Sequence, residues 1–465
     1  MHKQYKYIIA IIYTVVLFLD RLDLTIVNTT LPTLARYFHV SITVTDWISL
    51  SFLLALAVSI PVSTWLGDRF GLKKIYIIAM LLFGAASTLC SIANSLDQLI
   101  FLRFIQGIGG GMLIPVGMTI IYRIYDKSEY ASITSFTFLP SLIAPAVAPF
   151  LGGLILDSLG WRFVFLCSGP ISLSLAIISI VLIQEEPHRS KSPFDWLGFT
   201  LGEVILIDFF YALSELGKEG FSMPVVFMVV ILFPLVWLFV KIENKKEHPL
   251  IDLNFFKKPL FLYANLIQLC FQACHFGAIF LIGLFLQVGV GFSATLAGLM
   301  MGMQAIGAMA TSRYSVKLFN QYGAKLPIII GLSGVALITP MIMLIDRPSM
   351  LVFGIFVFLA RGFFSGLCGT PIQTLSVIDF DKKQIGSVNS IFNTCRQIAI
   401  SLGVAISALL ISLGLHFSGL IGTENIPTDK ILSVFIYGFL VMPIIALMGI
   451  AIICKLNQQM ICLKE

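Results

Sequence analysis

Fourteen apolar runs of about 20 residues each divide this chain, and no other feature limits its fold as severely. They fall near 7–29, 46–66, 75–94, 97–121, 132–156, 163–184, 195–215, 222–241, 260–288, 295–317, 326–345, 349–370, 388–413 and 430–455. A helix of that length spans the hydrocarbon core of a bilayer. Lipid offers the backbone no hydrogen-bond partners, so a spanning segment must be a helix or a strand of a closed barrel. The runs lack the period-two alternation of barrel strands. Only 12% of the 465 residues are charged and 58% are hydrophobic, too few charges for a water-soluble surface. The expected fold is an all-α polytopic membrane protein.

Orientation follows from the distribution of lysine and arginine. With the N-terminus inside, the inner loops and tails carry twenty-one of them, Arg69, Lys73, Lys74, Lys245 and Lys246 included, against five on the other side. An even number of spans then places both termini in the cytoplasm. The net charge of +6 is spread over these short loops, so it is a topology signal and not a nucleic-acid footprint. The longer hydrophilic interruptions divide the chain into 1–184, a six-helix bundle, 185–258, a linker region with two extra transmembrane helices, and 259–465, a second six-helix bundle. Two echoes suggest that the bundles are related. Trp65 to Lys73 resembles Lys317 to Lys325, and Arg103 opening a glycine-rich helix is matched by Arg361 with Gly362, Gly366 and Gly369. Duplicated carriers place their substrate sites near the midplane, between repeats.

Charges inside spans are costly, about 3 kcal/mol each on insertion scales, so Asp20, Arg21, Asp23, Arg103, Glu203, Asp208, Arg361 and Arg396 must face partners or a wet cavity. Asp20 and Asp23 share a helix face. Two carboxylates so placed suit a reversible proton site, and an ion pair with a buried arginine is the alternative. Gly67, Asp68, Arg69, Gly71 and Lys73 form a tight charged turn between two spans. Its glycines permit the bend, and its charges can lock and release neighbouring helix ends. Pro145 and Pro149, four apart and followed by Gly152 and Gly153, predict a bend in the fifth helix. Asn265, Gln268, Gln272 and His275 make a polar stripe on an otherwise apolar span; it either lines a substrate path or bonds to neighbouring helices. Asn28, Gln268, Gln272, His275, Arg361 and Arg396 are the expected cavity residues. Cys270, Cys274 and His275 imitate a metal pair in spacing, but small polarizable residues packing between helices is the favoured reading. No metal site, catalytic residue or cofactor is expected.

These motifs resemble the major facilitator superfamily, in particular its fourteen-helix drug:proton antiporter branch. Leu22 to Pro32 is similar to that branch's first-helix signature, Gly67 to Lys74 to the superfamily loop motif, and Arg103 to Gly107 to the proton-linked motif of the fourth helix. Ala144 to Gly153 is similar to the antiporter motif, with Ala144 and Ala148 standing where glycine is usual. The resemblance implies two six-helix bundles plus two central helices. It also implies proton coupling at Asp23 and Arg103, gating at Asp68 and Arg69, and a hinge at Pro149, Gly152 and Gly153. The expected function is proton-driven export of drugs or other small amphipathic compounds across the inner (plasma) membrane by alternating access. A carrier of one metabolite or anion, such as an organic acid, metal chelate or siderophore, is the alternative. The expected partners are the solute, protons and the bilayer, with a periplasmic adaptor as a further candidate, no nucleic acid, and a monomeric state.

Overall fold

The computed structural model describes residues 3–40, 42–184, 193–219, 222–247, 249–292, 294–345, 347–417 and 430–456. Among them there is no strand. The helices are α1 (Lys3–Phe38), α2 (Ile42–Phe70), α3 (Leu72–Cys90), α4 (Leu96–Ile124), α5 (Tyr130–Ser158), α6 (Trp161–Leu166) and α7 (Gly169–Leu182). They continue as α8 (Trp196–Glu219), α9 (Met223–Glu243), α10 (Pro259–Leu284), α11 (Ala294–Tyr322), α12 (Lys325–Met341), α13 (Leu351–Val377), α14 (Ile385–Phe417) and α15 (Ile431–Cys454). Every predicted span coincides with a helix, α6 and α7 together forming one rod. Among the described residues, 11 of these rods are long and apolar enough to cross a membrane. The polar middle of α1, with Asp20, Arg21 and Asp23, sets it apart from them.

The chain divides into two compact units. The first comprises Met1–Glu203, Glu243–Asp252 and Phe380–Thr394; the second comprises Val204–Ile242, Leu253–Asp379 and Cys395–Glu465. In unit 1, α4 lies between α2 and α3 because its glycines remove the side chains that would hold the backbones apart. A Cβ at Gly111 would stand 2.5 Å from the Leu56 carbonyl oxygen, and one at Gly109 would stand 2.7 Å from the Phe83 nitrogen. In unit 2, Gly362 and Gly366 of α13 meet the backbone of α11 at Gln304 and Ala308 in the same manner. Small residues are the usual means by which helices approach closely in lipid, where apolar side chains gain little from leaving one apolar medium for another. The echo between the two arginine-glycine segments is therefore an echo in packing.

The added pair differs in burial. Only 22% of the spanning part of α8 and 6% of that of α9 are buried, and Phe227, Val230, Phe233 and Trp237 are exposed, as lipid-facing helices require. Within unit 1 the start of α8 is clasped. Asp195 accepts from the Gly198 amide at 2.7 Å and pairs with Lys246, while Phe194 packs edge-on against Trp65 with ring centres 4.7 Å apart.

Candidate functional site

Three elements of unit 1 deliver charge to one point. Asp23 sits mid-way along α1, Arg103 and Gln106 lie one turn apart on α4, and Ser168 stands at the joint between α6 and α7. Arg103 Nη1 donates to Asp23 Oδ2 at 2.5 Å and to Gln106 Oε1 at 2.8 Å. Gln106 Nε2 donates to Asp23 Oδ1 at 3.0 Å, and Ser168 Oγ donates to the same oxygen at 3.1 Å. Arg103 Nε reaches the Ile48 carbonyl at 3.3 Å, and its guanidinium lies 4.3 Å from the centre of the Phe52 ring. Asp23 and Arg103 are each 1% exposed, so the attraction acts in low dielectric, and each ion depends on the other to offset its lost hydration. Adding a proton to Asp23 removes the charge on which the arginine is seated.

Asp20 is equally buried, at 1% exposure, one turn before Asp23. Its Oδ2 lies 3.7 Å from Arg21 Nε. The two aspartates thus share a face but have different cations.

The charged turn between α2 and α3 closes onto residues that the sequence motif does not contain. Gly71 adopts φ 100, a conformation strained for a residue with a Cβ, and this lets α3 start directly after α2. Asp68 Oδ1 accepts from Arg123 Nη2 at 3.1 Å. Arg123 Nε donates to the Lys382 carbonyl at 3.2 Å, and Lys382 Nζ donates back to the Arg123 carbonyl at 2.9 Å. Beside them Thr64 Oγ1 donates to the Gly386 carbonyl at 3.0 Å and Ser390 Oγ to the Ile60 carbonyl at 2.8 Å. These bonds hold the first turns of α14 to α2, and the segment just before α14 to the end of α4. Arg69 is exposed, Lys73 is half-buried, and Gly67 is buried against Leu72.

In unit 2, Arg361 of α13 is fully buried and bonded to Gln304 of α11, Thr339 of α12 and the His275 carbonyl of α10. Gln268 and Gln272 are buried on the same helix as half-buried His275, and Asn265 Nδ2 turns back to the Phe261 carbonyl at 2.9 Å. Arg396 is half-buried on α14. The helix α5 runs unbroken past the proline positions. A Cβ at Gly153 would meet nothing within 4 Å, and Gly152 is buried. The side chains of Asn28, Pro145 and Pro149 fall outside the described residues.

Gln106, Ser168, Arg123, Lys382, Gln304 and Thr339 complete these clusters, and sequence reasoning did not assign them. Gln106 had a signal, a polar residue one turn from a buried arginine. Ser168 and Thr339 had none, because single hydroxyls in spans usually bond to their own helix, as Thr339 also does at 2.7 Å to the Val335 carbonyl.

A chain of membrane-spanning helices, with a buried arginine at corresponding points of its two units and a charged clasp at one set of helix ends, has the make-up of a secondary solute carrier. It belongs to the Major Facilitator Superfamily, whose family model matches residues 13–404. A protein of Escherichia coli O81 (strain ED1a) that carries the name multidrug resistance protein MdtD is 29% identical over 431 residues, covering 92% of this chain and 90% of its own length. Its namesake in Escherichia coli O6:H1 (strain CFT073) is 29% identical over 428 residues, covering 91% and 89%. Among solved structures, the proton:xylose symporter XylE superposes with a TM-score of 0.65 at 14% identity, covering 96% of this chain and 95% of that one. The human organic anion transporter MFSD10 superposes with a TM-score of 0.66 at 14% identity, covering 96% and 99%. Identities that low bear on the fold alone. This chain is thus a multi-pass transporter of the superfamily.

Proposed function

We propose that this transporter is a proton-coupled exporter of drugs or other small amphipathic compounds. It works by alternating access in the inner (plasma) membrane as a monomer, with both termini cytoplasmic and the proton gradient as its energy source in place of a cofactor. The observation that carries this reading is the buried Asp23–Arg103 pair with Gln106 and Ser168. Protonation of Asp23 discharges the pair and frees Arg103, and its reversal restores the pair. A step driven by protons needs such a two-state element. The clasp formed by Asp68, Arg123 and the segment around Lys382 is the gate, and residues of the α10 stripe with Arg361 and Arg396 line the solute path. In this reading the six-helix bundles are 1–184 and 259–465, and the pair within 185–258 is an addition to them. The name of the Escherichia coli relatives supports multidrug export, and the excess of lysine and arginine on one side supports the orientation.

Reconstitution into proteoliposomes with an imposed pH gradient tests the coupling. Asp23→Asn is expected to abolish gradient-driven flux while solute exchange without a gradient persists. Gradient-driven flux equal to that of the unaltered protein would overturn the assignment of Asp23.

A further inference from the structure

The two arginines that correspond in sequence are neutralised differently. Arg103 has a carboxylate; Arg361 has three neutral acceptors. Its Nη1 donates to Gln304 Oε1, its Nε to Thr339 Oγ1 at 3.2 Å and its Nη2 to the His275 carbonyl at 3.4 Å. A guanidinium carries five N–H donors, so about two remain beyond these bonds. Arg361 forms no ion pair among the described residues, although it is 0% exposed. Burying a cation without a counter-charge is costly, so the arrangement is incomplete as a structural device.

Gln304 fixes the state of its neighbour. Its amide oxygen is committed to Arg361, so its NH2 group faces His275 Nε2 at 3.5 Å. That ring nitrogen is then the acceptor, and the proton of the neutral imidazole sits on Nδ1. Nδ1 is buried and makes no hydrogen bond. The cluster therefore combines an uncompensated cation, spare guanidinium N–H groups and an orphaned ring N–H. Every unmet need is for an acceptor, and the charge calls for an anionic one. Apolar rings adjoin it on the same helix: the ring centres of Phe271 and Phe276 each lie 5.4 Å from that of His275.

We infer that Arg361, Gln304 and His275 form a binding site in unit 2 for the carboxylate of an amphipathic solute. The Gln304 amide oxygen, isosteric with a carboxylate oxygen, holds the seat in the unliganded protein. A solute carboxylate displaces it, taking the planar fork of Arg361 and the His275 Nδ1–H, with its apolar body against Phe271 and Phe276. Half-buried His275 is the edge from which the solute enters. This names a substrate class and rests on the reading of the chain as a carrier of small amphipathic solutes, but binding at Arg361 requires no proton gradient.

Calorimetric titration of the purified full chain in nanodiscs, at fixed ionic strength, provides the test. Benzoate is the probe, and benzamide and benzyltrimethylammonium are its neutral and cationic counterparts. Benzoate is expected to bind at least tenfold more tightly than either. Gln304→Glu gives Arg361 a carboxylate of its own in place of the amide, with little change of shape. It is expected to fold with a melting temperature no lower than that of the unaltered protein and to weaken benzoate at least tenfold. Arg361→Gln is expected to weaken benzoate by the same factor. The proposal is overturned by absence of benzoate binding, by equal affinity for benzamide, or by unchanged benzoate affinity in folded Gln304→Glu. Such a result leaves the gradient experiment on Asp23 intact, and failure of that experiment leaves the binding result intact.

Discussion

Asp23 and Arg103 illustrate how far a single residue can be read. Each is conspicuous as a charge inside an apolar run, and the cost of burying it requires a partner. Which partner is a tertiary matter, because Asp23 had Arg21 close by in sequence and pairs instead with an arginine 80 positions away. The energetic consequence can be measured. Arg103→Ala leaves the Asp23 carboxylate buried and unpaired, which costs about 3–5 kcal/mol. In a thermal melt in detergent it is expected to lower the transition clearly, and Asp23→Asn combined with Arg103→Gln is expected to cost less than the sum of the separate changes. Additive losses would mean that the two side chains contribute independently. Gln304 shows the opposite limit of legibility. It is one of several polar residues on α11, and its importance is visible only once Arg361 is seen beside it.

At the scale of elements, hydropathy located every helix because a spanning segment must satisfy its own backbone. The ends were harder to place. α1 runs to Phe38, nine residues past its predicted apolar limit, since a helix that enters the aqueous layer no longer needs apolar side chains. The clasp at Asp68 was legible in half. Gly67 to Lys73 identified a charged turn, while its counterparts, Arg123 at the end of α4 and Lys382 just before α14, stand out in sequence only as ordinary cations near helix ends. The bond between Thr64 and Gly386 gives a direct test of this element. A Cβ at Gly386 would lie 3.2 Å from Thr64 Cγ2, so cysteines at both positions have a spacing that a disulfide accepts. Oxidation of Thr64→Cys with Gly386→Cys is expected to cross-link α2 to α14 and arrest transport, and reduction to restore it. Full transport by the cross-linked protein would remove this contact from the gating cycle.

For the whole molecule the controlling quantities are the number of spans and the side on which the cations lie. Orientation can be checked with the native thiols. Cys454 is exposed at the end of α15, and Cys462 follows it in sequence. A membrane-impermeant maleimide is expected to label this end in inside-out vesicles and not in intact cells; labelling confined to intact cells would reverse the topology. By itself the sequence determined that the chain is a helical membrane protein, where its spans lie, and which buried charges need explanation. Those properties follow from local rules, the length of a helix in lipid and the cost of a charge there. Only the tertiary structure decided that Asp23 holds Arg103, that Arg123 holds Asp68 while Lys382 holds Arg123, and that Arg361 meets neutral acceptors from three other helices and no carboxylate among the described residues. Each of these joins helices far apart in the chain, and a counter-charge supplied across a helix interface leaves no periodic trace in either segment.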